Sequence, residues 1–449
     1  MSNAGPNAVP DSVSGPLSGP VPTPFSPESI PAPRRADHEA WLRALTSTPT
    51  AAGHEHRVIA WIASWLEDRA GIARRDDPHG NIELRLESVP PSDAPLYLTA
   101  HLDHPAFHVE RVIGPGTIEL SFRGGVMEDY FVGTRVRVHA SADRGGRRGD
   151  PAIATITERG DQSTPFKSWV AELDSADPAK SGDAHIDADI HVGDFATWDL
   201  PDAEILPSDT FGREIEGGCL HTPACDDLAA LASALAALDE LRLAAANGAS
   251  VLDTRVLLTR AEEIGFIGAI GASRDGFMPP ASRIIALENS RSFPADSPIG
   301  GGPIVRVGDR INTFSPALTA SVAKVAETLA GASPHVVAVE KAAEVKWKWQ
   351  RKLMAGGACE ASVFCSYGYE ATCVCLPLGN YHNMAQLDEM QSGAMAGKPL
   401  IERECIAMRD FHGMTDLLVA CGTGLPEHAG FRDRIEKLWG DLSFVLSRA

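Results

Sequence analysis

The chain has 449 residues, 40 Lys and Arg against 60 Asp and Glu, and a formal net charge of −20. That length holds roughly two or three domains without disulfide support, and the acidic balance argues against general binding to nucleic acid or an anionic membrane. The eight cysteines show no CxxC pair and no zinc-ribbon spacing. Such usage suits a reducing cytoplasm; no apolar run is long enough to cross a bilayer, and no signal-peptide pattern opens the chain.

Residues 1 to about 35 are rich in Pro, Ser, Gly and Ala. They carry too little apolar surface to offset their ordering entropy, which predicts a disordered tail. From Asp37, HEAWLRALTSTPTAAGHEHRVIAWIASWLED has apolar residues at helical spacing on both sides of a Thr/Pro/Gly break. DDPHGNIELRL then reads as a turn and a short strand, and LYLTAHLDH as an apolar strand with a polar end, completing a first segment at 36–103.

Between 104 and 205 the texture changes. Short β-like runs (TIELSF, RVRVHA, AIATI, HIDADIHV) are separated by Gly, Asp and Pro with little helical periodicity, which predicts a small all-β unit inserted into a larger fold. From 206 to 449 helices and strands alternate. DDLAALASALAALDELRLAAA, IGFIGAIGAS and SPALTASVAKVAETLAG read as helices; TRVLLTRAEE, RIIALENS and EATCVCLPL read as strands. Alternation of this kind implies an α/β fold with a mostly parallel central sheet and helices on both faces.

The chemistry-bearing residues fall at strand ends and helix starts, where an open α/β sheet places its site. His101 and Asp103 close LYLTAHLDH, and residues two apart in extended chain point the same way, so a carboxylate can orient an imidazole ligand. Asp226 and Asp227 open a helix; either could be a helix cap or a carboxylate bridging two metals. Glu262 and Glu263 stand between a strand and a Gly-rich turn, where one could bind metal while the other accepts a proton from water. Glu288 lies in RIIALENS and His382 in LGNYHNM. Each is weak alone, but together they supply the nitrogen and oxygen ligands of a two-metal hydrolytic site. EVKWKWQRK reads as a strand with Trp347 and Trp349 on one face, leaving Arg351 or Lys352 to reach a substrate carboxylate.

The order AHLD, CDD opening a helix, EEIGFIGA, ALENS and YHNM resembles the cocatalytic zinc aminopeptidases of the MH clan, closest to the glutamyl or tetrahedral aminopeptidase family. TAAGHEHRV, DDPHGNI, IHVGDFATWDL and GGPIVRVGD extend the match over about residues 38–425. The resemblance implies that His101 binds one metal with Glu288, that Asp226 bridges both, and that Glu263 and His382 serve the second. It makes Glu262 the general base and Asp103 the residue that orients His101, and it implies an oligomer-forming role for the inserted unit. The chain departs from the family pattern at His104, where Glu is usual, at Leu228, where a basic residue is common, and at Cys359 in GGACEAS. These departures bear on substrate preference.

The expected activity is removal of N-terminal residues from peptides by two divalent ions, zinc foremost with cobalt or manganese possible, in a homo-oligomer. Two other readings remain: a dinuclear deacylase or carboxypeptidase acting on small N-acyl substrates, and a catalytically silent peptide-binding scaffold.

Overall fold

The computed structural model describes residues 25–141, 151–161, 164–174, 190–210, 213–334, 345–426 and 430–448. Its architecture is mixed α/β. Eight strands form one sheet, in the order Ile72–Asp76, Ile82–Leu86, Thr254–Thr259, Leu96–His101, Arg283–Arg291, Glu370–Leu378, Ile304–Asp309 and Gln350–Met354. The four central strands, from Thr254–Thr259 to Glu370–Leu378, run parallel to one another. Reversals occur outward of this quartet, where Ile82–Leu86 and Ile304–Asp309 join it antiparallel.

Side-chain alternation covers both faces of the sheet. Leu96, Leu98, Val256, Leu258 and Ile285 pack in the main core, under helices Ala32–Thr46, Leu228–Ala246, Pro316–Ala330 and Met408–Thr423. Tyr97, Leu257, Ile284 and Ala371 face the other way, against helices Ile267–Arg274 and Glu360–Ser366. Leu228–Ala246 is buried almost all round, as a helix between the sheet and a second helical layer must be.

Six strands lying between Ala106 and Trp198 close into a barrel, in the order Ala106–Gly114, Thr117–Arg123, Ser168–Leu173, Ala152–Arg159, Arg135–His139 and Phe195–Trp198. The barrel has its own aromatic core of Phe107, Phe122, Phe131, Trp169 and Trp198. Most of HIDADIHV lies outside the described residues; its last three, Ile190–Val192, form no strand, and Val192 belongs to a turn. Strand Gln350–Met354 starts after EVKWKW. Trp347 and Trp349 lie just before it and are buried in the main core.

Residues 1–24 of the expected tail lie outside the described residues, and the rest of it, from Phe25, packs on the fold. Phe25 packs on the core, Ile30 is buried, and a helix begins at Ala32 with Pro33 in its first turn, a position that needs no backbone donor. Arg34 pairs with Asp239 and Glu240, and Arg35 with Asp416 at 2.6 Å. Composition could not signal these pairings, because their partners lie some 200 and 380 residues away. Deleting residues 1–24 is expected to leave the melting temperature unchanged. Deleting through residue 35 removes both arginines from buried carboxylates and is expected to cost at least about 1–2 kcal/mol; thermal melts of the two truncations check this.

Candidate metal centre

The four parallel strands deliver their side chains to one edge of the sheet. Leu96–His101 ends on His101, and Thr254–Thr259 leads directly into Glu262 and Glu263. Glu288 sits in Arg283–Arg291, and Glu370–Leu378 leads into the turn bearing His382. Asp226 and Asp227 precede helix Leu228–Ala246. His101, Asp226, Glu262, Glu288 and His382 are all at most 8% exposed.

Asp226 stands between the two imidazoles. Its Oδ1 lies 3.4 Å from His101 Nε2 and its Oδ2 lies 3.4 Å from His382 Nε2. His101 Nε2 is 3.8 Å from both Glu288 Oε1 and Glu262 Oε2, and His382 Nε2 is 3.6 Å from Glu263 Oε1. These separations are too long for good hydrogen bonds. They resemble the edge of a tetrahedral zinc site, which is about 3.3 Å for bonds near 2.0 Å. Ligand atoms of His101, Asp226 and Glu263 lie within 4.8 Å of one another, as do those of His101, Glu262 and Glu288 and of Asp226, Asp227 and Glu288.

The other nitrogen of each imidazole is already committed. His101 Nδ1 donates to the carbonyl of Asp103 at 3.1 Å, and His382 Nδ1 donates to the carbonyl of Gly125 at 2.7 Å. Each Nε2 therefore keeps its lone pair for a cation. Asp226 Oδ1 and Glu263 Oε1 are buried without any hydrogen-bond partner, an arrangement that costs free energy unless a cation meets them. The donor set fits a pair of divalent ions.

Several assignments change once the contacts are read. The closest contact between Asp103 and His101 is through the Asp103 backbone carbonyl; its carboxylate stands 3.5 Å from Nδ1. That carboxylate instead accepts the N–H of Glu262 at 3.0 Å and of Glu263 at 3.1 Å, so Asp103 aims the glutamate pair. Asp227 is not a capping side chain; it accepts the N–H of His101 at 3.2 Å and the amide of Asn289 at 3.3 Å. His104 donates from Nδ1 to the Asp226 carbonyl at 2.5 Å and reaches Asn383 through Nε2 at 3.0 Å.

Two carboxylates that the sequence did not single out brace the site. Glu404 accepts the N–H groups of Cys225 at 2.6 Å and Asp226 at 3.1 Å through one oxygen, and that of His382 at 2.8 Å through the other. Glu55 accepts Ala261 N–H at 3.1 Å and pairs with Arg260 at 2.7 Å. Ala261 and His382 hold φ of +54° and +53°, a left-handed conformation unfavourable for residues with a Cβ, and these acceptors hold them there. DDPHGNI serves the same loop: Asn81 Oδ1 accepts Arg260 N–H at 3.0 Å. At Gly268 a Cβ would meet Arg260 and Asn81 at 2.5 Å, so only glycine fits. Glu404 lies in an unpatterned short strand and Glu55 in a turn, and only burial identifies them.

Burial and charge crowding perturb the residues that would hold the cations. Burial and the neighbouring Asp226 push Glu263 up to about 7. Burial, then Glu263 and Glu360, raise Glu262 above the carboxylate range, and burial with Asp226 does the same to Glu288. Burial opposes charge on His382, but Glu263 and Asp226 outweigh it and lift the imidazole to about 10. Asp226 is pulled the other way: despite burial, the His101 and His382 imidazoles that its two oxygens face hold it far below the usual range.

The centre opens into a cleft of about 620 Å³. Its walls carry Lys167, Phe293, Leu353 and Arg306. Arg306 is 3% exposed, bonds Ser290 Oγ and the carbonyl of Leu353, and leaves Nε unpaired. Neither Arg351 nor Lys352 lines the cleft, and Lys352 is paired with Asp296 at 2.7 Å.

The sequence profile of the M42 glutamyl aminopeptidase family matches residues 80–395. No curated protein matches the chain. Among solved structures, an aminopeptidase from the archaeon Desulfurococcus kamchatkensis superposes with a TM-score of 0.62 at 17% identity, covering 87% of this chain and 95% of that one. The TET aminopeptidase of a marine-sediment archaeon of the Thaumarchaeota gives 0.61 at 17%, covering 87% and 97%. A TET peptidase of Pyrococcus horikoshii, which can assemble into a tetrahedron or a large octahedral shell, gives 0.60 at 16%, covering 86% and 99%. At these identities the likeness establishes the fold.

Proposed function

Because the chain belongs to the M42 glutamyl aminopeptidase family, and is therefore a metal-dependent hydrolase of peptide bonds, we propose how its residues divide the work. His101, Asp226 and Glu288 hold one divalent cation; Asp226, Glu263 and His382 hold the second; Glu262 is the general base. The observation that carries this reading is Asp226, whose two oxygens each face a different imidazole while one of them lacks any hydrogen bond. Two cations held there would supply Lewis-acid chemistry to the scissile carbonyl and would lower the pKa of the attacking water. Glu262 accepts that water's proton and returns it to the leaving amine. Asp103 fixes Glu262 and Glu263 through their backbone N–H groups, and Glu404 fixes Asp226 and His382. Zinc is the first choice of ion, and cobalt or manganese suit the same nitrogen–oxygen set. A panel of aminoacyl chromogenic substrates, assayed with each metal restored to chelated protein, tests the assignment; release of C-terminal or N-acyl groups instead would overturn it.

Arg306 places in the cleft wall a buried cation that no carboxylate among the described residues pairs with, which favours substrates whose first side chain is acidic. Arg306→Met is expected to lower kcat/KM for a glutamyl substrate by about 10–100-fold, the worth of a hydrogen bond to a charged group. The same variant should leave a leucyl substrate within a few-fold of wild type, and equal losses on both would remove Arg306 from recognition.

Residues 104–205, which include the barrel strands, form on this reading a unit that packs against another subunit. Light scattering that finds a monomer at micromolar concentration would rule this out. A cytoplasmic location is supported by eight unpaired cysteines. No helix among the described residues is long and apolar enough to cross a membrane.

A further inference from the structure

The barrel reaches into the metal centre. After strand Thr117–Arg123 its chain passes through residues 124–130, which lie against the turn that carries His382. Gly125 gives its carbonyl to His382 Nδ1 at 2.7 Å. Tyr130 and Phe131 then face different ways. Phe131 stacks on Trp169 in the aromatic core of the barrel, with ring centroids 4.3 Å apart. Tyr130 is fully buried and packs with Met384 and Leu387 of the main fold. Its hydroxyl donates to the carbonyl of Ala385 at 2.7 Å, and the N–H of Met127 meets Met384 Sδ at 3.5 Å.

The His382 turn needs holding. Asn380, His382, Asn383 and Gln386 have φ of +51°, +53°, +65° and +53°, and none is glycine. Side chains with a Cβ keep such a conformation only where their surroundings fix it. The main fold fixes the near end. Glu404 accepts the N–H of His382, and the Asn383 amide donates to the carbonyls of Pro223 at 2.8 Å and Glu402 at 3.1 Å. Toward the far end, the side chain that grips the backbone is Tyr130, and it comes from the barrel.

We propose that Tyr130 is a positioning residue for the second cation: from the barrel it keeps the turn in the conformation that aims His382 Nε2 at Asp226 and Glu263. The proposal rests on the reading of His382 as a ligand. Without the hydroxyl, the carbonyl of Ala385, a residue 4% exposed, loses its donor. A buried acceptor left in that state favours a shift that brings it to water, and the left-handed residues beside it relax with the same shift. The imidazole then leaves its line to Asp226. The two cations should respond unequally. His101 and Glu288, which serve the first, stand on sheet strands Leu96–His101 and Arg283–Arg291, and Tyr130 hydrogen-bonds neither of them. His382 serves the second. Residues that orient a metal ligand without touching the ion are worth about 10–100-fold in its affinity.

Zinc titrations of the chelated full chain test it. Tyr130→Phe keeps the ring in its apolar contacts and removes the hydroxyl alone. Calorimetry is expected to show one ion bound as in wild type and the other about 10–100-fold more weakly, with turnover recovering when zinc is in excess. A role in packing alone would lower the melting temperature and leave both affinities as they were. That result would overturn the proposal, as would equal weakening of both ions. His382→Ala separates these outcomes from a failure of the ligand assignment. If it binds two ions as wild type does, His382 is not a ligand and the proposal falls with that reading. If it loses one ion while Tyr130→Phe holds both at wild-type strength, the role of Tyr130 alone is removed.

Discussion

Glu262→Gln is expected to lower kcat by about 10²–10⁴, the usual cost of losing a general base, while bound metal and melting temperature stay near wild type. The amide keeps the size of the side chain but cannot accept a proton. Glu263→Gln is expected to fail differently. Its Oε1 is buried, has no hydrogen-bond partner and lies 3.6 Å from His382 Nε2, so the amide removes an anionic donor from a cation. Metal affinity should drop, and stability with it, because bound ion stabilises the folded state by mass action. The geometry gives a reason to test both glutamates, since Glu262 also comes within 3.8 Å of an imidazole nitrogen. Metal content and kcat measured on both variants separate the roles. Metal loss confined to the Glu262 variant would exchange them; unchanged kcat in both would remove the pair from the mechanism.

What the sequence made legible was whatever repeats along the chain or ends an element. The helical spacing of Leu228–Ala246 and Pro316–Ala330 and the apolar runs of Leu96–His101 and Glu370–Leu378 gave elements in the expected places. A polar residue closing an apolar strand, such as His101, stands out against its neighbours. The bracing was not legible. Glu404 meets Asp226 across 178 residues and Glu55 meets Ala261 across 206; each is an ordinary acid in sequence and acquires a role only through burial and aim. Asp103 shows a subtler limit. Two-residue periodicity predicts its carboxylate on the His101 ring, but the strand ends at His101, so the chain turns and the carboxylate meets the N–H groups of Glu262 and Glu263. Arg306 was hidden by its setting in an apolar strand, while Arg351 and Lys352 attracted notice from a basic run outside the cleft. The first helix was missed in its opening turn because Pro33 and the arginines resemble tail composition until their partners are known.

Removing the metals is expected to abolish turnover and to destabilise the protein by an amount that grows with pH. Without cations, Glu263 titrates near 7 and Glu262 and Glu288 also lie above the carboxylate range. Between their ordinary values and these raised ones, the folded chain holds protons that the unfolded chain has released. His382, lifted to about 10, does the same between its ordinary value and that one. Stability changes with pH as protons bound unfolded minus protons bound folded. Both effects therefore make the metal-free protein lose stability as pH rises from about 4.5 toward 10. Asp226 works in the opposite sense, but only below the ordinary aspartate range. In the loaded protein the cations take the place of those protons and affinity rises with pH, because ligands must be deprotonated to bind. At a free-ion concentration 100 times Kd the loaded form gains about 2.7 kcal/mol, or several degrees in melting temperature for a domain of this size. Melting curves of chelated and reloaded protein near pH 5.5 and near pH 8.5 should show a gap that widens at the higher pH. A gap that stays constant or narrows would mean that these carboxylates and imidazoles are not where the ions bind. Full turnover in protein verified to be metal-free would remove the two-ion mechanism itself.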